Sequence, residues 1–161
     1  TVAVTSDAGT PGLSDPGFLL VREALKQGIF PECLPGPSAL LPALTGSGLP
    51  SERFCFEGFL PQKKGRQSRM LSLAGEKRTM IFYESPHRLI KTLTQLSEAL
   101  GTERPAALAR ELTKIHEEIL HGTLKELRDT FANREGGIKG EAVIVVAGAS
   151  GAEDAESGSN G

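Results

Sequence analysis

The chain of 161 residues lacks most of the features that assign a sequence to a specialised class of protein. Its net charge is −2, so no overall basic field indicates nucleic-acid binding, and any such contact has to be local. No apolar run approaches the roughly 18 residues that a membrane-spanning helix needs, and no basic and apolar leader opens the chain. These absences predict a soluble, cytoplasmic protein.

Residues that bind metals or attack substrates are also scarce. Cys33 and Cys55 lie far apart without a C-x-x-C pair, which favours reduced core cysteines over a disulfide framework. His116 and His121 have no partner at the spacing of zinc ligands, so no metal is expected. The dinucleotide fingerprint, the P-loop and the nucleophile elbow are all missing. The sequence therefore points to none of the commonest metal, nucleotide or hydrolase sites.

The sequence does have a first loop made almost entirely of small residues, glycine and proline, here called a bare loop. The stretch SDAGTPGLSDPG, residues 6–17, links an apolar run at 1–5 to a helical pattern that ends at Gly28. Asp15 and Pro16 are typical of an N-cap and a first helical residue. Residues 6–12 are longer than a strand-to-helix connection requires, and small side chains let the backbone approach a ligand. A ligand-binding loop and a plain turn are equally good interpretations.

A second bare loop follows the next apolar segment. A strand at 29–34 is predicted to end in the turn PGPS, and Ser38 is predicted to cap a short helix at 39–44. In a parallel sheet the carboxyl ends of both strands lie at the same edge. We therefore expect residues 7–10 and 36–38 to lie side by side.

The remaining chain predicts a second α/β unit. Strands are expected at 79–83, 106–112 and 142–147, with a partner strand or a turn near 119–120. Leucines at helical spacing mark a helix that ends at Gly101, and Thr123 with Glu126 forms a capping box. From residue 148 the sequence has no large apolar residue, so we expect a disordered tail.

A short basic run divides the two parts of the chain. It contains Lys63, Lys64, Arg66 and Arg69 within seven residues. A solvated loop with a helix start is the simpler interpretation. The alternative is a patch that contacts the phosphates of RNA.

Polar clusters follow three of the predicted strands. They are Ser6–Asp7, Tyr83–Ser85 with His87 and Arg88, and Arg110–Glu111 with Thr113 and Lys114. Site residues in α/β folds usually lie at such strand ends. For Glu84 and Glu111, however, a structural ion pair with Arg88 or Arg110 is as good an interpretation as a catalytic role.

Five segments together resemble a known family in order and spacing. They are VTSDAGTPGLSDPG, LPGPSALLPALTGSGLPSERFCFEGFLP, IFYESPHRL, ARELTKIHEE and KGEAVIVVAG. The family is that of the bacterial small-subunit ribosomal RNA methyltransferases I, in the tetrapyrrole methylase-like (class III) group of S-adenosylmethionine methyltransferases. The resemblance implies two α/β domains with S-adenosyl-L-methionine in the cleft between them. It also implies 2′-O-methylation of a cytidine ribose in small-subunit (16S) ribosomal RNA, and, because class III enzymes are commonly dimers, a homodimer.

The same resemblance implies a set of site residues. Glu84, Glu111 and Lys114 are candidates for assisting proton removal from the ribose hydroxyl, and the four residues of the basic run are candidates for RNA contact. The residues implied to contact the methyl donor are Ser6, Asp7, Ala8, Gly9, Thr10, Pro35, Gly36, Ser38, Ala39, Tyr83, Glu84, Arg110, Glu111 and Leu112.

The sequence also departs from the family pattern. The family's opening strand, its P-T-P-I-G-N-L loop and its A-E-D-T-R segment are missing, so we expect residues 1–50 to be the last part of a first domain, followed by a second domain at 51–148 and the tail at 149–161. Two strands alone form only a marginally stable sheet. Whether this piece binds the donor therefore stays open. Two other interpretations stay open: a methyltransferase for a tetrapyrrole or another small acceptor, and an RNA-binding module without catalysis.

Overall fold

A computed structural model describes residues 2–14 and 16–149 of the chain. Within it the chain divides into two compact units, an N-terminal unit of Thr1–Ala39 and a C-terminal unit of Leu40–Gly161. The division falls before the short helix at 40–46, whereas the sequence suggested a boundary at residue 50. The expected tail is almost entirely outside the described residues.

The N-terminal unit contains one regular element among its described residues, helix α1 (Gly17–Lys26), and none of that helix's side chains is buried. The strands expected at 1–5 and 29–34 are wrong, because the described residues of both segments are irregular. A strand gains its hydrogen bonds only from a neighbour in a sheet. The apolar residues of these two segments therefore stay outside any sheet in this unit.

The two ends of α1 differ in how well the sequence predicted them. Pro16 occupies the N-cap position and not the first helical position, and Asp15 lies outside the described residues. The stop at Gly28 is confirmed: Gly28 has φ of 73°, its N–H donates to the Leu25 carbonyl at 3.1 Å, and the Ile29 N–H donates to the Ala24 carbonyl at 3.0 Å. This is the Schellman arrangement that a left-handed glycine permits.

The C-terminal unit is built on one five-stranded sheet with the order β1-β2-β5-β3-β4. The strands are β1 (Phe54–Phe59), β2 (Thr79–Glu84), β3 (Pro105–Arg110), β4 (Glu118–Thr123) and β5 (Ala142–Val146). Strands β1 and β2 are parallel, and the other neighbouring pairs are antiparallel. The predictions of β2, β3 and β5 are confirmed to within two residues, and β3 stops before Glu111 and Leu112. The segment expected near 119–120 is a strand and not a turn, and it extends to Thr123. Strand β1 was not predicted.

Helices cover both faces of this sheet. One face, here called the helix face, packs against α3 (Arg66–Ser72), α4 (Leu89–Leu100) and α5 (Leu124–Ala132). The predicted leucine stripe of α4 is confirmed, since Leu89, Leu93, Leu96 and Leu100 are all buried. The other face, here called the α2 face, packs against α2 (Leu40–Gly46).

Local contacts fix the ends of two of these helices. The capping box of α5 is confirmed: Thr123 Oγ1 accepts from the Glu126 N–H at 3.1 Å, and the Glu126 carboxylate accepts from the Thr123 N–H at 2.8 Å. At the end of α2, His121 Nε2 lies 2.8 Å from the Gly46 carbonyl oxygen. Because a carbonyl only accepts, this nitrogen is the donor. His121 therefore joins α2 to β4.

A buried polar network lies at the end of β2 on the helix face. The Glu84 carboxylate is fully buried, pairs with Arg88 Nη2 at 2.8 Å and lies 3.8 Å from Arg66 Nη2. It also accepts from Thr92 Oγ1 at 2.7 Å and from the Ser85 N–H at 2.8 Å. Two cations and two hydrogen bonds thus compensate the loss of water around one buried carboxylate.

A second ion network lies at the β3–β4 edge of the sheet. Arg110 Nε donates to Glu118 at 2.6 Å, and Arg134 donates to both oxygens of Glu118 at 2.6 and 2.8 Å. These hydrogen bonds, that from Arg134 above all, lower the pKa of Glu118 from its ordinary 4.5 to about 2. The network ties β3, β4 and the segment after α5 together.

We expect Glu84→Gln to lower the free energy of unfolding of the C-terminal unit by about 3–5 kcal/mol, because it leaves two partly or fully buried guanidinium groups without their counter-charge. Urea denaturation followed by far-UV circular dichroism measures this. Glu98, which is exposed on α4, supplies the control, and Glu98→Gln is expected to change the value by less than about 0.5 kcal/mol. Equal effects of the two substitutions would contradict the account of the network.

The ion pairs of Glu118 predict a pH dependence. A carboxylate whose pKa is lowered to about 2 in the folded state stabilises the fold above its unfolded pKa and loses that effect as the pH falls from about 4.5 towards 2. Glu118→Gln is therefore expected to be less stable than the parent protein at pH 7, by about 1–3 kcal/mol, and equally stable near pH 2. Urea denaturation at a series of pH values tests this, and a difference that does not vary with pH would overturn it.

Candidate functional site

The two bare loops of the N-terminal unit lie against each other. Thr10 Oγ1, in the first loop, donates a hydrogen bond of 3.0 Å to the carbonyl of Pro37, in the second. Because 27 residues separate these partners along the chain, the contact fixes the loops as a pair. The expected proximity of residues 7–10 and 36–38 is confirmed, although neither flanking segment forms a strand.

There is little room for side chains where the loops meet. Gly9 has φ of 75°, which favours glycine, and a Cβ added there would lie 3.5 Å from the Pro37 carbonyl oxygen. A Cβ at Gly36 would come within 3.3 Å of Thr10 Oγ1. Nearby, the Ser6 hydroxyl donates to the Ala8 carbonyl at 3.0 Å and folds the first loop locally. The paired loops therefore present mainly backbone groups.

Ser38 does not have the capping role that the sequence predicted. Its hydroxyl oxygen is buried and, among the described residues, has no hydrogen-bond partner, and α2 begins two residues later. The expected cap is therefore wrong. An unpaired buried hydroxyl is uncommon and leaves a donor and an acceptor in the second loop for a ligand. The neighbouring Pro35, Ala39 and the first-loop residue Asp7 are exposed.

The register of the C-terminal unit brings its candidate residues to one end of the sheet. Glu84 and Arg110 both lie opposite Ala142, because β5 runs antiparallel to β2 on one side and to β3 on the other. Side chains alternate between faces along a strand. Tyr83 accordingly packs on the α2 face, whereas Glu84 and Arg110 belong to the opposite face. Leu112 lies beyond the end of β3 and also packs on the α2 face, because the turn at Glu111 breaks the alternation.

On the helix face, Glu84 and Arg110 both bond to partners within the protein. The Arg88 pair predicted as an alternative for Glu84 is confirmed at 2.8 Å, and Glu84 is completely buried. The guanidinium of Arg110 donates to Glu118 and, through Nη1, to the Lys139 carbonyl at 2.9 Å. The structure therefore favours a structural role for Glu84 over that of a base that meets a substrate.

Glu111 and Lys114 lie in a strained turn after β3. Glu111 has φ of 50° and Thr113 has φ of 65°, both in the left-handed region that non-glycine residues seldom adopt. The turn is held by the Lys114 N–H, which donates to the Glu111 carbonyl at 3.0 Å, and by an ion pair of 3.0 Å between the two side chains. Such strain is concentrated at functional sites. No feature of the sequence indicated it.

The carboxylate of Glu111 has a defined position. It lies against Gly140, where any side chain would collide with it, and Glu111 keeps only 18% of its side-chain surface exposed while Lys114 keeps 63%. A mostly covered carboxylate beside an exposed ammonium group can take up a proton from a bound hydroxyl. The pair thus satisfies the geometric needs of a general base more fully than Glu84 does.

The basic run does not form one continuous exposed patch. Lys63 and Lys64 are exposed. Arg66 is buried, because its guanidinium donates to Thr92 Oγ1 at 2.6 Å and to Gln95 Oε1 at 2.8 Å. The expectation that Arg66 meets a phosphate is therefore wrong. Arg69 is half exposed and pairs with Glu57.

An aromatic group beside Tyr83 was missed by the sequence analysis. The Phe56 and Phe59 rings meet the Tyr83 ring edge to face, with centroid distances of 4.9 and 5.7 Å. The alternation in RFCFEGF was a signal for the strand that carries them.

Several expected absences can be compared with the described residues. Within residues 2–14 and 16–149, no group of His, Cys, Asp or Glu is placed to hold a metal ion. In the same part of the chain, no helix is long and apolar enough to cross a bilayer. Both cysteines are free, but Cys33 is exposed and is not a core residue. Burial raises the pKa of the Cys55 thiol.

Comparison with curated proteins finds close relatives. The chain is 53% identical over 150 residues to a protein of Mycobacterium tuberculosis named "Ribosomal RNA small subunit methyltransferase I", covering 92% of this chain and 52% of that protein. It is 56% identical over 150 residues to a protein of the same name from Xylella fastidiosa, covering 92% of this chain and 55% of the relative. The chain thus spans about half the length of the curated relatives that it matches.

Solved structures show the same fold at lower identity. The uroporphyrin-III C-methyl transferase of Thermus thermophilus, solved in complex with S-adenyl homocysteine, superposes with a TM-score of 0.59 at 19% identity, over 86% of this chain and 62% of that one. The methyltransferase CobJ superposes with a TM-score of 0.62 at 22% identity, over 88% and 62% of the two chains.

The family comparison covers most of the chain. Residues 1–128 match the tetrapyrrole (corrin/porphyrin) methylases, and this range includes both bare loops, the strained turn and the aromatic group. The chain therefore belongs to the tetrapyrrole (corrin/porphyrin) methylase family.

Proposed function

We propose that this chain is part of an S-adenosylmethionine-dependent methyltransferase that modifies small-subunit ribosomal RNA. The observation that carries the proposal is the hydrogen bond between Thr10 and Pro37, which pairs two loops of small residues. Relatives that are more than half identical are named for methylation of this RNA, and a structural relative was solved with the demethylated form of the donor.

The paired loops are suited to a donor of this kind. S-Adenosylmethionine carries an amino acid and a nucleoside, which both offer groups that bond to backbone N–H and C=O. The loops from Ser6 to Thr10 and from Pro35 to Ala39 expose backbone of this kind, with little side chain in the way. The unpaired hydroxyl of Ser38 adds one more polar contact.

The donor supplies an electrophilic methyl group on a sulfonium, and the acceptor that we propose is the 2′-hydroxyl of a cytidine in 16S ribosomal RNA. Such a displacement needs no covalent bond to the protein, so the residues act mainly by orientation, which can lower the barrier by roughly 7–11 kcal/mol. We assign removal of the hydroxyl proton to the Glu111 carboxylate, with Lys114 holding that side chain 3.0 Å away. Glu84 keeps the end of β2 in place.

Methylation of a tetrapyrrole is the second candidate, because the family and several structural relatives are named for it. The exposed pair Lys63 and Lys64 suits the repeated phosphates of an RNA acceptor. Incubation with labelled donor separates the candidates: label on isolated small ribosomal subunits supports the first, and label on a porphyrinoid alone supports the second.

Donor binding can be tested by calorimetric titration with S-adenosylhomocysteine. We expect saturable binding by a longer chain that spans the full length of the curated relatives, and a loss of about tenfold or more in affinity for Gly36→Val, because the added side chain enters the paired loops. Gly75 has open space around it, so Gly75→Val is the matched control. Binding by neither this chain nor the longer one would refute the methyltransferase proposal.

The assignment of the base predicts a kinetic difference. In the longer chain, Glu111→Gln is expected to lower kcat by about 10²-fold or more while donor affinity stays within about twofold, since a lost general base affects the chemical step. Exposed Glu103 provides the control substitution Glu103→Gln. If Glu111→Gln leaves turnover intact and weakens donor binding, Glu111 is a binding residue and not the base.

A further inference from the structure

An irregularity in β1 determines where its last aromatic side chain points. Between Phe56 and Gly58 the pairing with β2 shifts: Phe56 lies opposite Ile81, and Gly58 lies opposite Phe82, so Glu57 is an extra residue. Gly58 has φ of 59°, a conformation that a side chain would disfavour. The result is a β-bulge, which reverses the alternation of the residues that follow it.

The bulge brings Phe59 to the α2 face. In a regular strand, Phe54 and Phe56 would share one face and Phe59 would point to the other. Here Phe59 lies opposite Tyr83, and its ring centroid is 5.7 Å from that of Tyr83. Phe56, Phe59 and Tyr83 thus form one aromatic platform at the carboxyl ends of β1 and β2.

An ion pair fixes the bulge. The extra residue, Glu57, accepts two hydrogen bonds of 2.8 Å from the guanidinium of Arg69 on α3. A bidentate pair of this kind sets direction as well as distance. Although Arg69 belongs to the basic run, its charge is used to hold the strand that carries Phe59.

One ring of the platform is exposed, and two lysines follow it closely in the chain. Phe59 is 43% exposed. The exposed residues Lys63 and Lys64 follow it by four and five positions, which keeps both within about 18 Å along the chain. In the described part of the chain, no ion pair involves either lysine. An exposed aromatic ring followed within a few residues by unpaired cations is a combination that binds single-stranded nucleic acid, by stacking bases and contacting phosphates.

We propose that the aromatic platform stacks an unpaired base of the RNA acceptor while Lys63 and Lys64 contact the flanking phosphates. The inference rests on the proposed function, and it adds the form of the substrate, which is single-stranded at this position. The methyl donor is a less suitable occupant, because its sulfonium centre is a cation and gains nothing from two neighbouring ammonium groups.

The chain contains its own probe for this contact. It has one tyrosine and no tryptophan, so intrinsic fluorescence above 300 nm comes from Tyr83 alone. We expect oligocytidylate of about ten nucleotides to quench this emission saturably. Inorganic polyphosphate of the same length, which has charge without bases, should bind with little quenching. Equal quenching by polyphosphate, or quenching by S-adenosylhomocysteine but not by the oligonucleotide, would overturn the proposal.

Substitutions separate stacking from charge. Phe59→Leu keeps an apolar side chain and should weaken oligocytidylate binding about fivefold or more, because one aromatic surface is lost. Phe30→Leu is the matched control, since Phe30 is exposed in the N-terminal unit. Lys63→Ala with Lys64→Ala should weaken binding of both polyanions and reduce the salt dependence of the affinity. If Phe59→Leu binds as tightly as the parent protein, the platform does not stack a base.

Failure of the stacking proposal can be distinguished from failure of the proposed function. If small subunits accept the methyl group but oligocytidylate leaves Tyr83 emission unchanged, the methyltransferase proposal stands and the stacking proposal is refuted. If oligocytidylate quenches Tyr83 in a chain that neither binds S-adenosylhomocysteine nor transfers a methyl group, the stacking proposal stands and the methyltransferase proposal is refuted.

Discussion

Strand β5 lies between β2 and β3 and runs antiparallel to both, and this pairing determines where the functional candidates of the C-terminal unit lie. Since β2 and β3 must then point the same way, both end opposite Ala142. The segments at 83–85 and 110–112 leave the sheet at that end. Sheet alternation next places Tyr83 on the α2 face and Glu84 and Arg110 on the helix face, and the turn after β3 returns Leu112 to the α2 face.

This division separates the residues that stabilise the fold from the residues that remain free to meet a substrate. The residues on the helix face are paired internally, in networks that stabilise the end of β2 and join β3 to β4. What remains for a substrate is the α2 face, with its aromatic rings, and the strained turn that carries Glu111 and Lys114. In the N-terminal unit the corresponding feature is made almost entirely of backbone, because two loops of small residues bond to each other at Thr10 and Pro37.

Features that depend on neighbouring residues could be predicted from the sequence. The leucine stripe of α4, the capping box at Thr123 and the glycine stop of α1 all arise within a few residues of chain. The proximity of the two bare loops was also predicted, from the rule that parallel strands end at one edge, even though those strands do not form here.

Features that depend on distant partners could not be predicted. Arg66 belongs to an obvious basic run, yet the hydroxyl that it bonds to lies 26 residues away. The bulge at Glu57 places Phe59 on the α2 face, where regular alternation from Phe54 and Phe56 would not put it. The left-handed conformation of Glu111 has no signature in residue type. The described residues of the segments at 2–5 and 29–34 form no strand for the same reason, since a strand is stabilised by a neighbour that its own sequence does not contain.

The central claim is that the paired loops bind the methyl donor through their backbone. Amide spectra of the longer chain, labelled with ¹⁵N at glycine, test it most directly during titration with S-adenosylhomocysteine. The account predicts saturable shifts of the Gly9 and Gly36 signals, with Gly75 and Gly101 unchanged. Saturable binding that leaves Gly9 and Gly36 unshifted would contradict it.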